Sequence, residues 1–350
     1  MLEPLVGLLI VATLVLSTLL TRWLRLFALS RKLIDVPNSR SSHVAPTPRG
    51  GGGAIVLATL AVLPLLAWRE VLSLHSLWGF LGAGLLVATI GWLDDHRDVP
   101  ARWRLLIHFA AASWALAWLD VLPQLRVLGT TFDLGLVGDG LLILYLVWLL
   151  NLYNFMDGID GIASIEAITV CLCAAVLYQL WPGSGDGWLV AVVLAAAVCG
   201  FMFWNFPRAR IFMGDAGSGF VGIMMGLLSL EAAAIAPELF WGWLILLGAF
   251  VVDATVTLIR RLMRGERVHQ AHRTHAYQHA ARRIGSHVPV SLVFGGVNVM
   301  WLLPVAVLVV QGWLDGAVGV LLAYAPLVWL ALRYDAGQVE EVGLGVSSKA

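Results

Sequence analysis

The sequence predicts an all-α, polytopic integral membrane protein of about eleven transmembrane helices. Three observations predict it. Of its 350 residues, 60% are hydrophobic and 13% charged, about half the charged share of an ordinary soluble domain. Apolar runs of roughly 20 residues, the length that crosses a bilayer core, recur from end to end. Arg and Lys gather in alternate connections, the pattern of the positive-inside rule.

On that ruler the spans cover 4–29, 51–68, 77–93, 104–124, 139–154, 161–181, 187–204, 216–235, 238–260, 288–311 and 316–332. The first has no basic segment before it and no small-residue cleavage site, so it reads as a span and not as a leader. With the N-terminus outside, twenty Lys and Arg fall on inner connections and only Arg69 and Arg126 on outer ones. That bias predicts a periplasmic N-terminus and a cytoplasmic C-terminus. No linker, repeat or composition shift divides the chain, so 1–350 reads as one membrane domain. The formal net charge of zero gives a nucleic-acid partner no electrostatic support. Cys171, Cys173 and Cys199 lie inside apolar runs and read as packing residues.

The polar clusters all fall on the inner side, as expected of an enzyme supplied from the cytoplasm. In the first connection, Arg40, His43 and Arg49 offer positive charge to a phosphate. The glycines after Arg49 let backbone amides approach a ligand. Asp94 and Asp95 form an adjacent carboxylate pair at the foot of the third span, a costly arrangement unless a cation meets them. Such oxygen ligands suit Mg²⁺, with Mn²⁺ as the alternative ion. Asn151, Asn154, Asp157 and Asp160 recur every three residues, a spacing that lines one face of a helical turn. Asn205 opens a segment that ends at Asp215, a further metal candidate at a helix start rich in bare amides. The connection 261–287 carries His269, His272, His275 and His279, of which His275 reads as the functional member. A zinc site is disfavoured there because no Cys joins the cluster. Asp253, inside the ninth span, reads as structural and faces Arg260 across two helical turns. The tail after Arg333 is given no role.

In this order the clusters resemble the polyprenyl-phosphate N-acetylhexosamine-1-phosphate transferase family. That family starts O-antigen, enterobacterial common antigen and teichoic acid synthesis and includes the related phospho-MurNAc-pentapeptide transferase. The resemblance covers residues 30–285: Asp35-Val-Pro-Asn38 with Arg40, His43 and Arg49, then Asp94-Asp95, Asn151 to Gly161, and Asn205 with Phe212-Met-Gly-Asp215. The last loop departs from the family's His-rich signature: it reads His275-Ala-Tyr277-Gln278, so His275 alone carries over. That departure is closer to the O-antigen-initiating branch. The resemblance implies two substrates, a UDP-N-acetyl-sugar and undecaprenyl phosphate, met at the inner (cytoplasmic) membrane of a bacterium. UMP would leave as undecaprenyl-pyrophosphoryl-sugar forms. It also implies Mg²⁺ on Asp215 and Asp94, catalytic roles for Asp94, Asp95, His275 and Arg49, and a nucleotide site of Asn151, Asn154, Asp157, Asp160, Asn205 and Phe212. UDP-GlcNAc, UDP-FucNAc and UDP-QuiNAc stay open as donors, and a homodimer is left open. A UbiA-like prenyltransferase, reading Asp94-Asp95-x-x-Asp98 as its diphosphate motif, and a transporter are the rival readings. The first lacks a second such motif; the second predicts charged or broken helices at the bilayer midplane.

Overall fold

The computed structural model describes residues 4–37, 45–119, 125–132, 135–266 and 272–339. Every expected span has a helical counterpart, in order. They begin with α1 (Pro4–Ser30), α2 (Gly53–Trp68), α3 (Leu74–His96), α4 (Ala101–Trp118), α5 (Gly135–Met156), α6 (Ile162–Leu180), α7 (Trp188–Asn205) and α8 (Asp215–Ile235). The ninth is broken into α9 (Pro237–Leu246) and α10 (Gly248–Met263), bent by 64°. The short α11 (Ala276–Ile284) lies in the long polar connection. α12 (His287–Val297) runs through a π-helical turn, Asn298–Leu302, into α13 (Leu303–Val310), and α14 (Gly316–Arg333) follows.

Eight helices among the described residues are long and apolar enough to cross a bilayer, or nine with the bent pair taken as one. The others fall short for visible reasons. α2 has only 16 residues. α4 has the length, but Arg102, Arg104 and His108 dilute its hydropathy. Among the described residues, strand structure is confined to two small antiparallel pairs, β1 (Ile34–Asp35) with β2 (Thr47–Pro48), and β3 (Leu125–Val127) with β4 (Thr130–Phe132). The protein is therefore an all-α, multi-pass membrane protein.

α8 is the most enclosed span and packs against α2, α3, α5 and α9. In lipid, helices associate through close packing and interhelical hydrogen bonds, so small residues mark the contacts. Two glycines set the geometry at the N-terminus of α8. A Cβ on Gly91 of α3 would stand 2.5 Å from the Ala216 nitrogen. A Cβ on Gly52 would stand 2.3 Å from the Gly217 Cα. Without side chains there, three backbones meet at one helix end. The loop from β2 is held to the same place by a short ladder: the Phe212 amide donates to Pro48 O at 2.8 Å, Gly51 to Phe212 O at 2.9 Å and Gly52 to Met213 O at 2.8 Å.

Candidate functional site

That convergence assembles a charged cluster from four separate segments. Arg49, delivered by the β2 loop, lies 2.9 Å from Asp95 Oδ1 and 3.7 Å from Asp215 Oδ1. Arg104, in the first turn of α4, pairs with Asp94 and stands 3.3 Å from Asp215 Oδ2. Asp215 is thus shared by two guanidinium groups. The two members of the aspartate pair are held differently. The Asp95 side chain is 1% exposed. Its carboxylate accepts the amides of Asp215 at 3.0 Å and Ala216 at 3.3 Å, which are otherwise orphan donors of the first turn of α8. Asp94 accepts the Val99 amide at 2.9 Å while holding Arg104, which fixes the α3–α4 turn.

The expected stripe of Asn and Asp does not form one helical face. α5 stops at Met156, so Asp157 and Asp160 lie in the turn beyond it. Asn151 Nδ2 donates to Val147 O at 2.7 Å and meets His108 Nδ1 of α4 at 3.2 Å. Asn154 turns the other way and donates to Ser218 Oγ of α8 at 3.0 Å. Asp160 Oδ2 lies 3.4 Å from His287 Nδ1, at the start of α12. Asn205 is 3% exposed and uses both ends of its amide: it accepts from Gly161 N at 2.9 Å and donates to Ile211 O at 3.1 Å. It ties the 157–161 turn to the 206–214 segment from behind.

Asp157 has a half-buried carboxylate with no hydrogen-bond partner among the described residues. Removal from water, followed by the charges of Asp215, Asp95 and Asp160, pushes its pKa well above the usual carboxylate range.

His275 is buried, 2% exposed. Its ring lies beside α10: Nδ1 is 3.3 Å from Asp253 Oδ1, and His272 and Tyr277 stack on either side. Its Nε2 has no hydrogen-bond partner among the described residues. Asp253 does not face Arg260, which donates instead to Ala336 O. The Asp253 carboxylate accepts the amides of Ala276 at 3.0 Å and Tyr277 at 2.9 Å, so it caps α11. Tyr277 in turn donates to Phe155 O at 3.1 Å, which joins α11 to the end of α5. Arg40, His43 and His269 lie outside the described residues.

Two cavities lie along these segments, and one of them is lined by Arg104 and Asp215 of the charged cluster. That one, about 340 Å³, has apolar walls from Leu105, Leu144, Val147, Trp148 and Leu258 and is also lined by Asn154. The other, about 510 Å³, is lined by Thr47, Asp160, Arg208, Phe212, Arg282 and His287.

Comparison with known proteins bears on what this arrangement is. The sequence pattern described as Glycosyl transferase family 4 matches residues 77–233, the stretch from Asp94 through Asp215. The decaprenyl-phosphate N-acetylglucosaminephosphotransferase of Mycolicibacterium smegmatis is 29% identical over 75% of this chain and 73% of its own. The enzyme of the same description from Mycobacterium leprae is 29% identical over 72% of each. A probable undecaprenyl-phosphate N-acetylglucosaminyl 1-phosphate transferase of Bacillus subtilis is 26% identical over 70% of this chain and 68% of its own. Over residues 77–233 the chain is similar to glycosyl transferase family 4.

In this protein, no group of three His, Cys, Asp or Glu side chains among the described residues forms a ready metal cage. Mg²⁺ does not need one, since it keeps several waters and takes one or two carboxylates plus substrate phosphates. Four carboxylates, Asp94, Asp95, Asp157 and Asp215, stand against two guanidinium groups, Arg49 and Arg104. The carboxyl groups outnumber the guanidinium groups by two, and the Asp157 carboxyl has no hydrogen-bond partner among the described residues. The donor set therefore fits a divalent cation. Sequence reasoning counted Arg104 only toward membrane orientation and passed over His108 and His287. The signal for Arg104 was its position ten residues beyond Asp94, one short turn away in space.

Proposed function

We propose that the chain transfers N-acetylhexosamine-1-phosphate from a UDP-sugar to undecaprenyl phosphate, releasing UMP at the cytoplasmic face of a bacterial inner membrane. One observation carries this reading. Two short segments, 154–160 and 212–215, each have one end in the apolar-walled cavity and the other in the basic one. An isoprenoid suits the first cavity, with its phosphate at Arg104 and Asp215. A nucleotide suits the second, with a base on Phe212 and the diphosphate near Arg208 and Arg282. The reacting phosphates would then meet at Asp157 and Asp215.

In the reaction, an oxygen of the lipid phosphate attacks the sugar-linked phosphorus and UMP departs. One phosphoanhydride replaces another, so the free-energy change is small. Gathering anions is the main obstacle, and offsetting their charge is the chief catalytic task in phosphoryl transfer. Mg²⁺, when bound, supplies positive charge beside the phosphates; Asp215 and Asp157 would hold it. Asp94 would join only by releasing Arg104. Arg49 and Arg104 hold Asp215 in place and add positive charge.

The surroundings of the aspartate pair favour direct attack over a covalent intermediate. Asp95 is buried under two amides and an arginine, and Asp94 is engaged by Val99 and Arg104. A phosphate monoester, with a second pKa near ~6, is largely ionised at neutral pH and needs no base. Trapping a phosphorylated Asp without lipid acceptor would overturn that choice.

The O-antigen branch is the pathway we favour for the product, from the His275-Ala-Tyr277-Gln278 loop. The test is UMP release from UDP-GlcNAc, UDP-FucNAc and UDP-QuiNAc, each with and without undecaprenyl phosphate. Lipid-dependent UMP from one of them is expected. Its absence with all three, alongside prenyl transfer or transport, would end the reading.

A further inference from the structure

We infer that residues 334–339, just after the last span, form a strap that holds the His275 turn in register for the transfer reaction. The inference rests on the function proposed above.

A polar tail after a final helix has no general reason to be ordered. This one is tied to three elements. The Gly337 amide donates to Thr274 O at 2.6 Å, and Thr274 directly precedes His275. Arg260 and Arg264, at the end of α10, donate to Ala336 O and Gly337 O. On α11, Arg283 pairs with Asp335 and lies over the Tyr334 ring, and His279 Nε2 reaches Gln338 O at 3.2 Å.

The strap is also fitted and not merely adherent. Ala336 is fully buried. Gly337 has φ +77°, and a Cβ there would lie 3.0 Å from Thr257 O and from Arg260 Cβ. An L side chain is strained at that φ and crowded by those neighbours.

The consequence falls on His275. Its backbone is pinned just ahead by the strap, through Thr274, and just behind by Asp253, through Ala276 and Tyr277. Its Nδ1 is turned to Asp253, and its buried Nε2 has no partner among the described residues. A ring with one committed and one free nitrogen serves a reaction only if its backbone cannot drift, because small displacements of a positioned group are costly in rate. The strap and Asp253 are positioning elements and need not touch substrate.

The experiment compares the full chain, a chain ending after Val339, a chain ending after Arg333, and Gly337→Val, each in membranes or detergent. Two readouts are taken: steady-state UMP release and amide hydrogen exchange over 274–279. The chain ending after Val339 should match the full chain. The shorter chain and Gly337→Val should lose about tenfold or more in kcat, with KM for the UDP-sugar held within about twofold. Their 274–279 amides should exchange about tenfold faster. If the shorter chain does not accumulate, Gly337→Val carries the comparison. Full kcat despite faster exchange would overturn the role in the reaction, and unchanged exchange would overturn the strap itself. If even the full chain releases no UMP from any UDP-sugar, the proposed function fails, while the exchange comparison still decides whether the strap holds the turn.

Discussion

Asp95 and Asp253 do the same structural work in two places. Each carboxylate accepts two consecutive amides from the first turn of a helix that begins far along the chain. Asp95 caps α8 through Asp215 and Ala216, and Asp253 caps α11 through Ala276 and Tyr277. A carboxylate at a helix N-terminus satisfies orphan donors and meets the positive end of the helix dipole. The difference is in what each capped helix presents. α8 presents Asp215 between two arginines, in a cluster where carboxyl groups outnumber guanidinium groups. α11 presents His275 with one ring nitrogen that has no partner among the described residues. A carboxylate that looks reactive in sequence can therefore be a support, while the group left available is on the helix start that it steadies.

The largest effect should separate support from reacting group within the first centre. Asp215→Ala should lower kcat about 10³-fold or more, while its backbone amide still donates to Asp95 and the melting temperature holds. Asp95→Ala should cost about 10²-fold and also lower the melting temperature, because two buried amides lose their acceptor at about 1–3 kcal/mol each. A thermally unaltered Asp95→Ala would break the comparison.

At the second centre, Asp253→Ala should lower kcat about tenfold and destabilise the protein by about 1–3 kcal/mol. Thermal melts read beside UMP release would show whether the two aspartates act alike. Wild-type turnover in this variant would confine Asp253 to folding.

Acid should weaken the divalent ion. Asp157 is held well above its ordinary pKa, first by removal from water and then by Asp215, Asp95 and Asp160. Proton and cation compete for the same negative charge, so apparent Mg²⁺ affinity should fall up to about tenfold per pH unit below that raised pKa. Mg²⁺ titrations of UMP release at several pH values read this directly, and a pH-independent affinity would remove Asp157 from the ion's surroundings.

Asn151→Ala should have the smallest effect. Its amide faces His108 in the apolar-walled cavity. KM for lipid phosphate should rise about threefold, the scale of one hydrogen bond, with KM for the UDP-sugar unmoved. The reverse pattern would return Asn151 to the nucleotide.

Much of the fold was legible because its causes are local. Span length and apolar content depend on consecutive residues, and the expected spans have helices in the same order. The break between α9 and α10 was not legible. The apolar run continues through Leu246-Leu247-Gly248, and only packing decides the 64° bend. At the site, the clusters containing Asp94, Asp157 and Asp215 could be read from composition, since carboxylates at the foot of an apolar helix need a reason. Asn205 looked the same in sequence, yet its amide is spent on Gly161 and Ile211. The tail after Arg333 looked idle because Gly337 meets Thr274 only in space.

By itself the sequence determined that this chain lives in a bilayer, which connections gather its polar clusters, and which family it resembles. All three follow from residue type and short-range order, which folding does not change. Only the tertiary structure decided which carboxylates are spent on capping and which stay available. The amides that engage Asp95 come from a helix start 120 residues away. Hydrogen bonding to such distant partners, and the loss of water that accompanies it, arises only when the backbones meet.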